Sequence, residues 1–415
     1  MRNPANSPPE VAMRGPRTIR LARAVLLIPL LVPLLMAGPA AARAAAHAVA
    51  PQGFRHPGVL LDRGQLDIIR RRVHAGQQPW ASAFEAMRAS RYGQTGYTPH
   101  PRDVVVCPWD NGPSNGCADE REDALAAYTQ ALLWSVTQDR THAEAAIRIM
   151  DAWSGTLKDH TEGDAGLQAA WAGASWARAA EIIRWTYHEW PQWGVERFSD
   201  MLRNVYLPEL EGGAPDYNGN WDLTMEDAAT GIAVFLDDRH AFDEAIGRFR
   251  ERVRAYFHLE SDGPVPPAPP GSSIRTPDQI AAYWYGQREY PDGIAQETCR
   301  NFKHVGYSLA ATAHVAETAF HQGLDLWSEI HDRVRAALEF HTRYELGEHV
   351  PGWLCGGHVE LGLGPVTEVA VNHLRHRLGM EMPQTLLYTA RQRPEGTNDL
   401  FVAWETLTHA DNPGW

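Results

Sequence analysis

From Leu66 onward the apolar residues of this chain recur with helical spacing, and the alternation that marks strands is missing almost everywhere. Leu125, Tyr128, Leu132, Leu133 and Val136 fall on one face of a predicted helix. Ile147, Met150 and Trp153 do the same in the next, with Thr141-His142-Ala143-Glu144 reading as its capping box. Helix stops are marked by Gly155 after Trp153, Pro191 after the Trp171 to Tyr187 stretch, Gly323 after Phe320 and Gly379 after Leu378. The pattern predicts an all-α protein. Helical hairpins set around an axis bury one face of each helix and leave a cleft at one end. The absence of a strict repeat period argues against a regular solenoid.

Two stretches break the pattern. Ser261 to Ser273 is rich in Pro and Gly and reads as a long surface loop within one domain, because Thr276-Pro277-Asp278-Gln279 caps a new helix at once. Residues 1–48 read as a secretory signal: Arg14, Arg17, Arg20 and Arg23, then an apolar run from Ala24 to Met36, then Ala44-Ala45-Ala46 or Ala46-His47-Ala48 as a cleavage site. Pro29 and Pro33 interrupt the run, which falls short of the roughly 20 residues of a membrane span. The expectation is a protein secreted to the extracellular space or periplasm, with no stable membrane association after cleavage, acting as a monomer through a single domain over residues 49–415.

The formal charge of −13 makes nucleic acid an unsuitable partner. An acidic protein can still act on a polyanion where its cleft concentrates cations locally. Four cysteines in an exported chain point to disulfides rather than to a metal, since no C-x-x-C spacing occurs. Cys107 and Cys117 bracket a turn-rich loop and form the expected first pair. Cys299 and Cys355 are left to each other or free. No metal or other cofactor is expected.

Three polar constellations interrupt the Ala- and Leu-rich helices. In Tyr217-Asn218-Gly219-Asn220-Trp221, Asn220 first and Asn218 second have amides able to donate to a sugar carboxylate, with Trp221 stacking beneath a ring; the bland reading is an Asn-Gly turn and cap. In the stretch from Gln296 to Tyr307, spacings of four and three put Arg300, His304 and Tyr307 on one helical face beside Lys303, one of only two lysines. A cation, an imidazole and a phenol together suit acid–base chemistry; alternatively Arg300 pairs with Glu297 in a structural network. The third runs from Trp353 through His358 to Glu368, Asn372 and His373, where turns and braces are the stronger reading.

At these residues the sequence resembles the alginate-lyase superfamily of (α/α)-toroid polysaccharide lyases. The resemblance rests on His56-Pro57-Gly58-Val59-Leu60 with Pro79-Trp80, on the Asn-Gly-Asn-Trp turn, on the Gln296 to Tyr307 helix ending at Trp327, and on Glu368 to His373, in that order. It implies a toroid, an incomplete barrel of helical hairpins. It also implies metal-independent cleavage beside a uronic acid, with asparagine, arginine and histidine holding the carboxylate and a tyrosine exchanging protons.

The C5 proton of a uronate is weakly acidic, so donors and positive charge must stabilise the enolate-like species left behind. Asn220, Arg300 and His304 are the candidates. Tyr307 is the first choice for both the base and the acid that protonates the leaving oxygen, with His304 as the alternative base. A tyrosinate needs nearby cations, which Arg300, Lys303 and His304 would supply. Asn218, Trp221, Gln296, Lys303, Tyr285, His358 and Tyr344 complete the expected substrate contacts. The chain departs from better-known alginate lyases where Asn218-Gly219-Asn220 replaces an Asn-His pair, so the histidine must come from His304, His358 or His258, and Tyr285 or Tyr344 replaces Tyr307 if the toroid closes differently. Two competing readings stand: a glycoside hydrolase using a pair among Asp222, Glu226, Glu297 and Glu368, and a non-catalytic glycan binder using Trp221, Trp284, Tyr285 and Trp353.

Overall fold

The computed structural model describes residues 53–109 and 112–412. The predicted signal segment lies outside the described residues. After α1 (Arg63–His74) and α2 (Trp80–Ala89), the chain passes through β1 (Val104–Val106) into the hairpin of α3 (Cys117–Thr137) and α4 (Arg140–Ser154). β2 (Asp159–Thr161) pairs with β1 in parallel, Val104 opposite Asp159. Next come α5 (Ala165–Thr186) and α6 (Gln192–Met201), which runs through a π-helical turn into α7 (Leu207–Leu210). Then follow α8 (Gly219–Phe235), α9 (Arg239–Tyr256), the short α10 (Pro277–Tyr283), α11 (Phe302–His321) and α12 (Trp327–Glu345). α13 (Glu368–Val371), α14 (Pro383–Gln392) and α15 (Glu405–His409) close the order.

The helices sort into two layers because their sequences differ in kind. α3, α5, α8 and α11 are buried on nearly every face beyond their first turns and pack each on the next. α4, α9 and α12 return outside them and bury only a stripe. The result is the expected (α/α) toroid. Small residues let the inner helices approach closely: a side chain on Gly173 of α5 would press on Tyr206, Ile232 and Ala228.

Contacts along the inner layer join like positions with like. Near the helix starts, Arg121 Nη1 donates to Gln168 Oε1 at 2.5 Å; near the ends, Trp134 Nε1 donates to Thr186 Oγ1 at 2.9 Å. In the middle, Arg178 of α5 donates to Asp227 of α8 at 2.6 Å, and His314 of α11 lies between Asp227 and Glu405. The four inner helices are therefore parallel, and their N-termini share one end of the ring. That end carries positive backbone potential toward any bound anion.

Several local expectations meet the structure directly. Thr276 forms a capping box with Gln279. The Pro-rich stretch is a loop inside the domain, tied to Asp216 through the Ser273 backbone N–H at 2.6 Å and its hydroxyl at 2.9 Å. Both disulfides form, Cys107–Cys117 and Cys299–Cys355. One cap is corrected: α4 starts earlier, on Asp139, whose carboxylate accepts from the Thr141 N–H at 3.0 Å, and Glu144 pairs with Arg140 instead of closing a box. The physical reason is that Asp139 already satisfies the orphan donor two residues on.

Candidate active site

The α8 N-terminus and the turn before α11 are locked together around one buried carboxylate. Asn220 Nδ2 donates to both oxygens of Glu297, at 2.9 and 2.8 Å, and its backbone N–H adds a third bond at 3.2 Å. The Tyr256 hydroxyl donates to Glu297 at 3.0 Å and Arg300 Nη1 at 2.6 Å. Gln296 accepts from the Gly219 N–H at 3.0 Å and donates to Asn218 Oδ1 at 3.0 Å and to the Tyr283 carbonyl at 2.7 Å. The Tyr285 hydroxyl donates to the same Asn218 oxygen at 3.0 Å. Gly219 is required here, since an added Cβ would overlap the Tyr256 ring.

Three readings change as a result. α11 begins at Phe302 with Asn301 as its cap, so Gln296 to Arg300 form a turn rather than the first part of the helix. Asn220 is fully buried and its amide is spent on Glu297. Asn220 and Gln296 thus hold the turn in place, while the Arg300 side chain keeps about a third of its surface open.

The first turns of α11 bring an imidazole, a phenol and a lysine together. Asn301 Oδ1 accepts from the His304 backbone N–H at 3.1 Å and lies 2.6 Å from His304 Nδ1. An amide oxygen only accepts, so Nδ1 carries the proton and Nε2 keeps its lone pair. Burial, then the charges of Arg300 and Lys303, pull the His304 pKa down to about 3, leaving the ring neutral. Tyr307 lies one turn on, its ring centre 5.4 Å from that of His304, and its hydroxyl bonds to Lys303. Burial raises the phenol's pKa, and Lys303, Arg121 and Arg300 only moderate it. This corrects the expectation of a cation-lowered phenol: Tyr307 holds its proton. Between them Gly306 leaves room for the Leu363 carbonyl, so the segment after the Cys299–Cys355 bridge crosses α11 at the site.

The opposite wall was not foreseen. Arg121 of α3 sits over the Trp171 ring of α5 at 5.4 Å, bonded to Gln168, and Trp171 meets the Tyr307 ring edge-on at 6.5 Å. Burial lowers the pKa of this guanidinium. In the sequence Arg121 lies within Asp119-Glu120-Arg121-Glu122-Asp123 and resembles a solvated charge run; the one usable signal was Gln168, a polar residue in an Ala-rich helix.

The other expected residues scatter. Trp221 is partly buried and stacks on Tyr217 at 4.7 Å. Tyr285 is exposed at the rim. His358 is exposed on the loop after Cys355. Tyr344 is buried on the outer helix α12 between Phe302 and Phe340 and belongs to the core. His258, offered as an alternative histidine, is fully buried against Tyr290. Trp284 is 1% exposed and cannot stack on a sugar. Glu368, Asn372 and His373 lie in the core, with Glu368 bound by Arg393 and His373 stacked on Trp327. The four carboxylates a hydrolase would use are all engaged: Asp222 by Arg252, Glu226 by Arg248, Glu368 by Arg393, and Glu297 as described. Among the described residues no group of three or more His, Cys, Asp or Glu is placed to hold a metal.

Comparison with known proteins adds an independent line. The alginate lyase family model matches residues 99–267, which include Arg121, Gln168, Trp171 and Trp221. Curated proteins give no match. Among solved structures, alginate lyase A1-III from Sphingomonas species A1 aligns at 17% identity and a TM-score of 0.58, covering 85% of this chain and 99% of that one. A histidine-to-alanine variant of A1-III complexed with a tetrasaccharide aligns at 18% identity and 0.58, over 85% and 97%. An alginate lyase from Bacteroides ovatus aligns at 14% and 0.52, over 85% and 99%. At these identities the structural likeness speaks for the fold.

Proposed function

We propose that this chain, a polysaccharide lyase by its family match and its toroid fold, cleaves a uronic-acid-containing polysaccharide, alginate or a polyglucuronate-like polymer, by β-elimination. The observation that carries the reading is the meeting of a neutral His304, a protonated Tyr307 and the cations Arg300, Lys303 and Arg121 at the N-terminal end of the inner helices. Arg300 and Lys303 receive the uronate carboxylate, aided by the helix N-termini. That negative charge offsets the two cations beside His304 and raises the basicity of its Nε2.

His304 Nε2 then takes the C5 proton. The electron pair forms the C4–C5 double bond, the C4–O4 bond breaks, and O4 takes the Tyr307 proton. The proton on His304 returns to the tyrosinate before the next turnover. Asn220, Gln296 and Asn218 position the Arg300 turn. The A1-III variants that hold a tetrasaccharide replace a histidine in one case and a tyrosine in another, which supports a His/Tyr division of labour. The reading includes export through residues 1–48 and action as a monomer.

The test is incubation of the purified mature protein with alginate and with polyglucuronate, following the ultraviolet absorbance of the conjugated product. Absorbance that rises with the wild type and disappears with Tyr307→Phe supports the reading. New reducing ends without absorbance mean hydrolysis and overturn it.

A further inference from the structure

One stretch of the cleft rim differs in charge from the catalytic end. Tyr217 stacks on Trp221 with ring centres 4.7 Å apart and planes 25° apart, and Trp109 leans on Tyr217 at 5.7 Å. The rings come from the loop closed by Cys107–Cys117, the turn before α8, and α8 itself. Trp109 is 58% exposed and Tyr217 41%, yet both are fixed in place. The Trp109 indole bonds Asp164 and its ring covers Gly163, where any side chain would collide with it.

Beside the rings lies a cavity of about 350 Å³ lined by Gly166, Tyr217 and Trp221 together with Glu162, Glu209 and Asp216. No Arg or Lys is among its described lining residues. Asp164 is within electrostatic reach of both Tyr217 and Arg121, which joins this rim to the wall of the cationic site. An exposed, rigid aromatic stack offers a flat face to the C–H side of a pyranose ring. Negative charge at its edge, from Asp164 and Asp216 acting on Tyr217 and from the acidic lining residues Glu162 and Glu209, repels a ring that carries a carboxylate of its own.

We propose that this rim binds a neutral pyranose unit of the same polysaccharide, so that the preferred substrate alternates uronate with neutral sugar rather than being uronate throughout. The proposal rests on the β-elimination reading for its placement along the polymer. The neutral sugar lies over Tyr217 and Trp221 with Trp109 at its flank, and the uronate lies at Arg300 and Lys303.

Two measurements test it. Calorimetric titration with a neutral β-1,4-glucose tetramer needs no catalysis: the wild type binds, and Trp109→Ala weakens binding by about fivefold or more. Turnover is then compared on alginate and on an alternating glucuronate–glucose polymer. Wild-type kcat/KM is higher on the alternating polymer, and Glu162→Gln narrows the gap by improving alginate. No binding of the tetramer, or a gap unchanged by Glu162→Gln, overturns the proposal. Binding of the tetramer that is lost in Trp109→Ala, with elimination of neither polymer, upholds the neutral-sugar site and overturns the lyase reading instead.

Discussion

Asn301 Oδ1 serves two groups of the same residue, the His304 backbone N–H at 3.1 Å and the His304 ring Nδ1 at 2.6 Å. One side chain therefore caps α11 and fixes the tautomer of the proposed base. Asn301→Ala is expected to cost about 1 kcal/mol through the lost cap and to lower turnover more than that loss of stability explains. Asn301→Asp keeps the cap but places a negative charge beside the ring, raising the His304 pKa. Because the neutral ring is the active form, the acid limb of the pH–rate profile moves to higher pH. A limb that stays put in Asn301→Asp would take His304 out of the base role.

Tyr307→Phe removes the proposed acid and should lower turnover by about 10²- to 10⁴-fold, while thermal melting stays near wild type because the ring packing is kept. Activity at high pH is lost as the phenol ionises. Lys303 is one of the cations that moderate its raised pKa, so Lys303→Gln moves the basic limb upward. Rate profiles of the two variants against wild type check both statements.

Glu297 is fully buried and anchors Asn220, Tyr256 and Arg300. Glu297→Gln removes the charge that compensates Arg300 and should destabilise the fold by about 3 kcal/mol. The Arg300 turn also loses its anchor, so KM rises in the molecules that remain folded. Denaturant melts and steady-state kinetics on one preparation separate the two effects.

Acid stability should depend on Glu317, buried on α11 between Arg377, which donates at 2.8 and 3.0 Å, and His373. Burial alone would raise its pKa, but Arg377, His373 and His321 hold it well below the usual glutamate value. The folded state thus favours the carboxylate: its contribution is complete above the unfolded glutamate pKa and is lost as pH falls from there toward the lower folded value. Glu317→Gln should be less stable than wild type at neutral pH, with a shallower loss on acidification, as urea melts across that range would show.

The Cys299–Cys355 bridge ties the residue before Arg300 to the loop bearing Trp353 and His358, closing 56 residues of chain. Replacing both cysteines with serine should cost about 4 kcal/mol and raise KM, since the Arg300 turn and the crossing at Gly306 lose a shared anchor. Melting temperature and KM of the double variant, set against wild type, check both statements.

Much of the fold was legible because helix signals are local. The Thr276 cap, the stop at Gly155 and the bridging of the short Cys107–Cys117 loop each depend on a few neighbouring residues, and each stands in the structure. The His304–Lys303–Tyr307 grouping was also legible, since helical spacing alone brings residues three and four apart together. The α4 cap was misplaced because two adjacent polar residues competed for one orphan donor, and Asp139 took it.

What the sequence determined by itself is the kind of element, its ends, and which neighbours share a turn. Tertiary structure decided which distant segments face one another: Arg121, Gln168 and Trp171 opposite Tyr307, Asn220 turned onto Glu297, Tyr344 sunk in the core, and a carboxylate-lined rim beside a cationic site. The physical reason lies in the inner helices. A helix with one apolar stripe announces which face it buries, but α3, α5, α8 and α11 are buried all round. Their periodicity says nothing about which residues meet the cleft, and only the parallel packing of the four settles it.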